Sequence, residues 1–191
     1  MSKVKVTYPF AIMMAVFIFF DSENKLLLTV FSMLIHEMGH ISALLYKNIP
    51  IQKIIIGMTG ANIVYGNDRL TSYADDIFIA VMGSVFNFIT VVISLFVENI
   101  FSLDMSFFIG INAVLGAFNM APIIPLDGGR AMLGIISLKA GLSEAEEMLR
   151  RISIAEAVIG IITGIILIYN SKNYTLLLVS VVILLYNKLE I

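Results

Sequence analysis

The stretch that decides the fold is Leu26-Leu-Leu-Thr-Val-Phe-Ser-Met-Leu-Ile-His36-Glu37-Met-Gly-His40-Ile-Ser-Ala-Leu-Leu-Tyr46. A membrane crossing takes about 20 predominantly apolar residues, and this run supplies them. Yet its middle carries three ionisable side chains. Such groups at membrane depth are costly, and a functional site is their default reading. The three form an H-E-x-x-H pattern. On a helix His36 and His40 lie one turn apart on one face, so both imidazoles can reach one metal ion. Glu37 lies about 100° further round and addresses a water on that metal rather than the metal. Zinc lowers the pKa of such a water toward ~7. A glutamate beside it takes the proton and later delivers it to a leaving amine. The bland alternative is a pair of histidines that happen to sit in an apolar helix.

The composition around that helix agrees. Of 191 residues, 59% are hydrophobic and 14% are charged, and mean hydropathy is +0.97. A soluble domain is roughly 45–50% apolar and about 25% charged. So short a chain cannot hide that much apolar surface inside itself. Net charge is −2 with no basic block, which disfavours nucleic acid as a partner. Cysteine is absent, which removes disulfides, iron–sulfur clusters and cysteine nucleophiles. His36 and His40 are the only histidines. The expected class is an all-α polytopic membrane protein.

Six apolar segments are expected to span: residues 8–20, 26–46, about 72–97, about 105–121, about 154–169 and 174–186. The first, fifth and sixth reach the lower limit of roughly 17 residues only with their flanks. Lys3 and Lys5 precede the first segment and no small-residue cleavage site follows it, which suits a retained signal-anchor. With the N-terminus inside, ten of the twelve lysines and arginines fall in inner loops, and only Lys25 and Lys172 fall outside. Both termini are therefore expected to be cytoplasmic. Tryptophan is absent, and Tyr8, Tyr46, Tyr73, Tyr169, Tyr174 and Tyr186 mark the segment ends.

Two pieces differ in texture. Ile51–Ile56 and Ala61–Tyr65 read as strands around Gly57 and Gly60, a β-hairpin on the cytoplasmic side between helices two and three. Ser143 and Glu146 have capping-box spacing, with Arg150 and Arg151 closing a juxtamembrane helix over 143–152.

A zinc site needs a third protein ligand. With no further His or Cys it should be a carboxylate. Asp127 stands in an odd setting, Asn119-Met-Ala-Pro-Ile-Ile-Pro-Leu-Asp127-Gly-Gly-Arg130. Pro122 and Pro125 end the fourth helix, and Gly128-Gly129 permit unusual backbone shapes. Irregular backbone near membrane depth is tolerated only where protein or a water-filled cavity lines it. On spacing alone two readings stand level: Asp127 as the third ligand, or Asp127 as the cap of a following helix in an interfacial loop.

These residues resemble the site-2 protease family of intramembrane zinc metalloproteases. That family pairs H-E-x-x-H on one helix with N-x-x-P-x-x-x-L-D-G near the end of a later one. The second motif is complete here from Asn119 through Pro122 to Leu126-Asp127-Gly128. The resemblance implies that His36, His40 and Asp127 bind one zinc ion and that Glu37 is the general base. Pro9-Phe10, Leu34-Ile35-His36-Glu37 and the Gly57–Gly60 turn resemble the branch of the stage IV sporulation protein FB. Members often carry a CBS or PDZ domain; residues 1–191 read as one transmembrane metalloprotease domain with neither. The family's G-P-x-x-N appears as Gly83-Ser84-Val85-Phe86-Asn87, with serine for proline. Asn87 is either an amide donor to the oxyanion or a helix–helix hydrogen bond.

Asn112, Gly116 and Asn119 share a helical face beside a small stripe of Gly110, Ala113 and Ala117, which suits packing of helix four on helix two. Asn119 either holds the substrate or the Asp127 loop, or serves packing. Gly160-x-x-x-Gly164 is weak evidence for dimerisation. Glu156 reads as an interfacial glutamate paired with Arg150 and Arg151.

The resemblance implies hydrolysis of a peptide bond in or next to a membrane segment, and the hairpin offers an edge for strand addition. The implied partners are a membrane-associated regulator such as a sigma-factor precursor, membrane inhibitor proteins and the lipid bilayer. The implied location is a bacterial cytoplasmic or forespore membrane. The rival readings are a metal transporter on the same ligands and a catalytically silent scaffold.

Overall fold

The computed structural model describes residues 3–8, 25–57, 60–65, 72–172 and 174–189. The elements are β1 (Lys3–Val6), α1 (Lys25–Tyr46), β2 (Ile51–Gly57), β3 (Gly60–Tyr65), α2 (Tyr73–Phe101), α3 (Ser106–Asn119), α4 (Asp127–Ala140), α5 (Leu142–Ser171) and α6 (Thr175–Leu189). The expected first span lies outside the described residues apart from Tyr8, as does the hairpin tip at 58–59. Among the described residues α1, α2 and α5 are long and apolar enough to cross a membrane by length and composition. The expected fourth and sixth spans are shorter apolar helices, α3 with 14 residues and α6 with 15.

Burial runs opposite to that of a water-soluble protein. Phe96, Ile100, Ile159 and Ile165 are exposed, whereas Ser32, Ser84, Asn87, Asn112, Ser153 and Asn187 are buried. Where the surrounding solvent is hydrocarbon, apolar side chains lose nothing by facing outward and polar ones must find partners inside.

The chain forms two compact units, one of Met1–Thr71 with Val81–Phe118 and one of Ser72–Ala80 with Asn119–Ile191. In the first, β2 and β3 form the expected antiparallel hairpin, from Ile51 opposite Tyr65 to Gly57 opposite Gly60. The parallel strand β1, Lys-Val-Lys-Val, was not expected; it lies along β2 with Lys3 opposite Lys53 and Val6 opposite Ile56. The sheet order β1-β2-β3 makes β2 central, with β1 and β3 as the edge strands among the described residues. A Cβ on Gly39 would lie 2.3 Å from the Met82 carbonyl oxygen, so α1 and α2 cross backbone to backbone. The helix α3 packs through Gly116, where a Cβ would lie 3.1 Å from the Phe88 ring, and through Phe108, stacked on Phe31 at 5.9 Å. Among the described residues nothing lies within 4 Å of a Cβ on Gly110, whereas Asn112 and Gly116 are buried in the packing of α3. Ahead of α3, Asp104 accepts from the Ser106 hydroxyl and backbone N–H, which hold its carboxyl below the ordinary range.

In the second unit the first turns of α2 pack on α4: a Cβ on Gly134 would meet Ile77 at 2.7 Å. The helices α4 and α5 share Gly141 as C-cap and N-cap, at φ +89°. That sharp reversal starts α5 before Ser143, so the expected capping box does not form, and the juxtamembrane helix and fifth segment are one helix of 30 residues. Gly160 and Gly164 seat α5 on α6, with Cβ positions 2.2 Å from Ser180 Oγ and 2.8 Å from Leu177 N. The G-x-x-x-G therefore packs two helices of the same chain. Because Leu177 N is backbone and cannot swing aside, Gly164→Val is expected to destabilise the protein by about 1–3 kcal/mol, read as an earlier transition in a denaturant titration in detergent.

Candidate metal centre

The helix α1 presents His36 and His40 on the face that packs against Gly83 of α2. Both imidazoles are 7% exposed. Their Nε2 atoms approach to 3.2 Å, with the rings nearly perpendicular at 81°. Two nitrogens at 2.0–2.1 Å from a tetrahedral zinc stand about 3.3 Å apart, so the pair converges as two ligands of one ion would. A Cβ on Gly83 would lie 2.5 Å from His40 Nε2 and 2.7 Å from His36 Nε2. Only glycine there leaves the space between the rings free. Glu37 follows His36 on the adjacent face and is half-buried.

The tautomer of a neutral His36 follows from its neighbours. Asn87, fully buried on α2, sends Nδ2 to the Ser32 carbonyl at 3.2 Å and to Asn112 Oδ1 at 2.8 Å. A backbone carbonyl only accepts, so the amide nitrogen must face it and Oδ1 must face His36. His36 Nδ1, 2.6 Å away, is therefore the donor, and Nε2 keeps its lone pair for a metal. Asn112 is oriented the same way, with Nδ2 donating to the Phe108 carbonyl at 2.8 Å and to Ser32 Oγ at 2.9 Å. Ser32 closes the chain by donating to the Leu28 carbonyl at 2.9 Å. Both hydrogens of Asn87 are engaged, one with α1 and one with α3. Ser84, beside Gly83, is fully buried and its hydroxyl has no hydrogen-bond partner among the described residues; α2 runs unbroken through it.

Asp127 is the first residue of α4. The helix that the capping reading required is present, but its N-cap is Leu126 and no side chain caps it. In the first turn a carboxylate is favoured by the helix dipole, which suits an anionic ligand. Arg130 stands 3.9 Å from Asp127 Oδ1, one turn on. Gly128 and Gly129 are helical, so they serve close approach rather than unusual torsion. Their Cβ atoms would lie 2.2 Å from the Met120 carbonyl oxygen and 2.4 Å from that of Ile123. His36 and His40 belong to the first unit and Asp127 to the second. Asn119 is the half-buried last residue of α3. Among the described residues one carboxylate oxygen of Glu156 is buried without a hydrogen-bond partner and Arg151 pairs with Glu147, so the expected pairing of Glu156 with Arg150 and Arg151 is not seen there.

The fold matches that of the site-2 protease from Methanocaldococcus jannaschii, with a TM-score of 0.71, covering 98% of this chain and 89% of that chain at 24% identity. The chain has the site-2 protease fold. In sequence it is similar to the zinc metalloprotease MJ0392 of the same organism, 28% identical over 155 residues. That match covers 78% of this chain and 44% of the relative, so the chain spans less than half of that protein's length. No protein-family model matches. Among the described residues, three helices have the length and apolar composition of membrane spans.

Three substitutions test the histidine half of the candidate centre. Gly83→Ala drives a methyl group between the imidazoles, so zinc uptake should be lost while the helical circular-dichroism signal persists. Asn87→Leu removes the acceptor from His36 and is expected to weaken zinc roughly 10–100-fold in a chelator competition. Asn112→Leu, which spares the bond to His36 itself, should weaken it less.

Proposed function

We propose that the protein is a membrane-embedded zinc endopeptidase that hydrolyses a peptide bond in or next to a membrane segment of a membrane-associated regulatory protein. The observation that carries this reading is the buried pair of Nε2 atoms 3.2 Å apart, with the Nδ1 of His36 committed to Asn87. His36, His40 and Asp127 would hold one ion, and neutral imidazoles with a carboxylate suit zinc. When bound, zinc supplies a Lewis acid that polarises the scissile carbonyl and eases ionisation of the attacking water. Glu37 takes the proton as the carbon–oxygen bond forms and gives it to the departing amine as the carbon–nitrogen bond breaks. Asn87 and Asn112 keep His36 in one tautomer throughout. Asn119 is assigned to the substrate backbone or the Asp127 loop.

A helical substrate hides its carbonyls in its own hydrogen bonds and must be extended to be cut. The position of β3 at the edge of the sheet, among the described residues, supports capture by strand addition. The positive-inside bias puts the histidines in the cytoplasmic half of α1, with both termini cytoplasmic and release inward. The narrower assignment is a sigma-factor precursor as substrate and membrane inhibitor proteins as regulators, in a bacterial cytoplasmic or forespore membrane. It rests on the resemblance at Pro9-Phe10, Leu34–Glu37 and Gly57–Gly60.

Glu37→Gln separates the protease from its rivals. With single-span membrane proteins as substrates in the same vesicles, the variant should keep its zinc and lose roughly 10²–10⁴-fold in cleavage rate. Cleavage at the wild-type rate would sink the mechanism.

A further inference from the structure

The loop before Asp127 is gripped by two helices that carry none of the candidate ligands. Ser153 on α5 accepts a hydrogen bond from the Ile124 backbone N–H at 2.9 Å. Asn187 on α6 donates from Nδ2 to the Ile124 carbonyl at 3.0 Å. Both polar groups of one peptide residue are thus taken by side chains, from 29 and 63 positions away in the chain. Ser153 is fully buried and Asn187 is 4% exposed. The second hydrogen of Asn187 Nδ2 goes to the Ile183 carbonyl at 2.9 Å, so the amide cannot turn over without losing both bonds.

The loop's own backbone bonds run from Ile123 N to the Ala121 carbonyl and from Leu126 N to the Ile123 carbonyl, and neither uses Ile124. In apolar surroundings its peptide groups need partners, and Ser153 and Asn187 are those partners. The grip passes directly to Asp127. The first turn of α4 lies on the same backbone: a Cβ on Gly129 would be 2.4 Å from the Ile123 carbonyl oxygen and 2.9 Å from Ile124 N. The Leu126 carbonyl accepts from Arg130 N at 3.1 Å, which ties the end of the loop into that turn. Ile124 cannot shift without moving the turn that begins at Asp127.

We infer that Ser153 and Asn187 are positioning residues for Asp127, acting through Ile124, so that α5 and α6 set the strength and geometry of the metal centre. The inference rests on the zinc reading above. The test uses the full chain in detergent, with zinc affinity measured by chelator competition and the visible absorption of bound Co²⁺ as a readout of ligand geometry. Ser153→Ala and Asn187→Leu should each weaken zinc by roughly tenfold and shift the Co²⁺ spectrum. Ser180→Ala alters a buried polar residue between the same two helices away from the loop, and should change neither. In an Asp127→Asn background the two substitutions should cause no further loss, because the ligand they act through is gone.

Unchanged affinity and spectrum in both variants would overturn the inference, as would an equal loss in the Asp127→Asn background. Ser153→Ala removes a single oxygen and decides alone if Asn187→Leu does not fold. If the wild-type protein shows no zinc binding that depends on Asp127, the zinc reading fails first and takes this inference with it.

Discussion

The hydrogen bond from His36 Nδ1 to Asn87 Oδ1, at 2.6 Å, is the interaction on which the candidate metal centre depends. An imidazole inside an apolar helix has two nitrogens to satisfy, and only one can go to a metal. Asn87 takes the other, and it can do so only because its own amide is turned by the Ser32 carbonyl and Asn112. The sequence of donors and acceptors ends on backbone carbonyls of α1 and α3, groups whose direction the helices themselves set. Removing one partner from such a buried network leaves a polar group unsatisfied, which costs about 1–3 kcal/mol, and linked bonds weaken together.

That network needs helices nearer to one another than ordinary side chains allow. Gly39 lets α1 and α2 meet at the Met82 carbonyl, and Gly116 lets α3 settle on Phe88 beside Asn87. Gly83 has a different task, keeping side-chain atoms out of the space where the two Nε2 atoms converge. In the second unit the same device recurs with Gly128 and Gly129, which let the first turn of α4 rest on the Met120–Ile124 backbone. In both units these glycines mark places where a Cβ would lie within about 3 Å of backbone or ring atoms.

Much of this was legible in the residues. The H-E-x-x-H spacing placed His36 and His40 on one face of one helix, and the ends of α1 fall within a residue of those expected. The hairpin followed from Gly57 and Gly60, and the break before Asp127 from Pro122 and Pro125. Strand β1 was missed because Lys3–Val6 is four residues long and reads as the charged flank of an apolar segment. The unbroken α5 was missed because its charged first turns and apolar remainder look like two elements, while hydrogen bonding along a helix is indifferent to that change.

By itself the sequence determined the local geometry of the chemistry: which residues stand one turn apart, which donor types exist and where the backbone must break. Those properties are set by periodicity and torsion within a few residues of each other. What each polar atom does follows from which distant elements pack together. That packing made Asn87 the partner of His36, turned the G-x-x-x-G of α5 toward α6 and gave Ile124 to Ser153 and Asn187. Those partners are 25 to 80 positions apart along the chain for the Asn87–Asn112–Ser32 relay, and 29 and 63 apart at Ile124. No local pattern encodes which buried donor will meet which acceptor, because that choice is made by how closely the helices can pack.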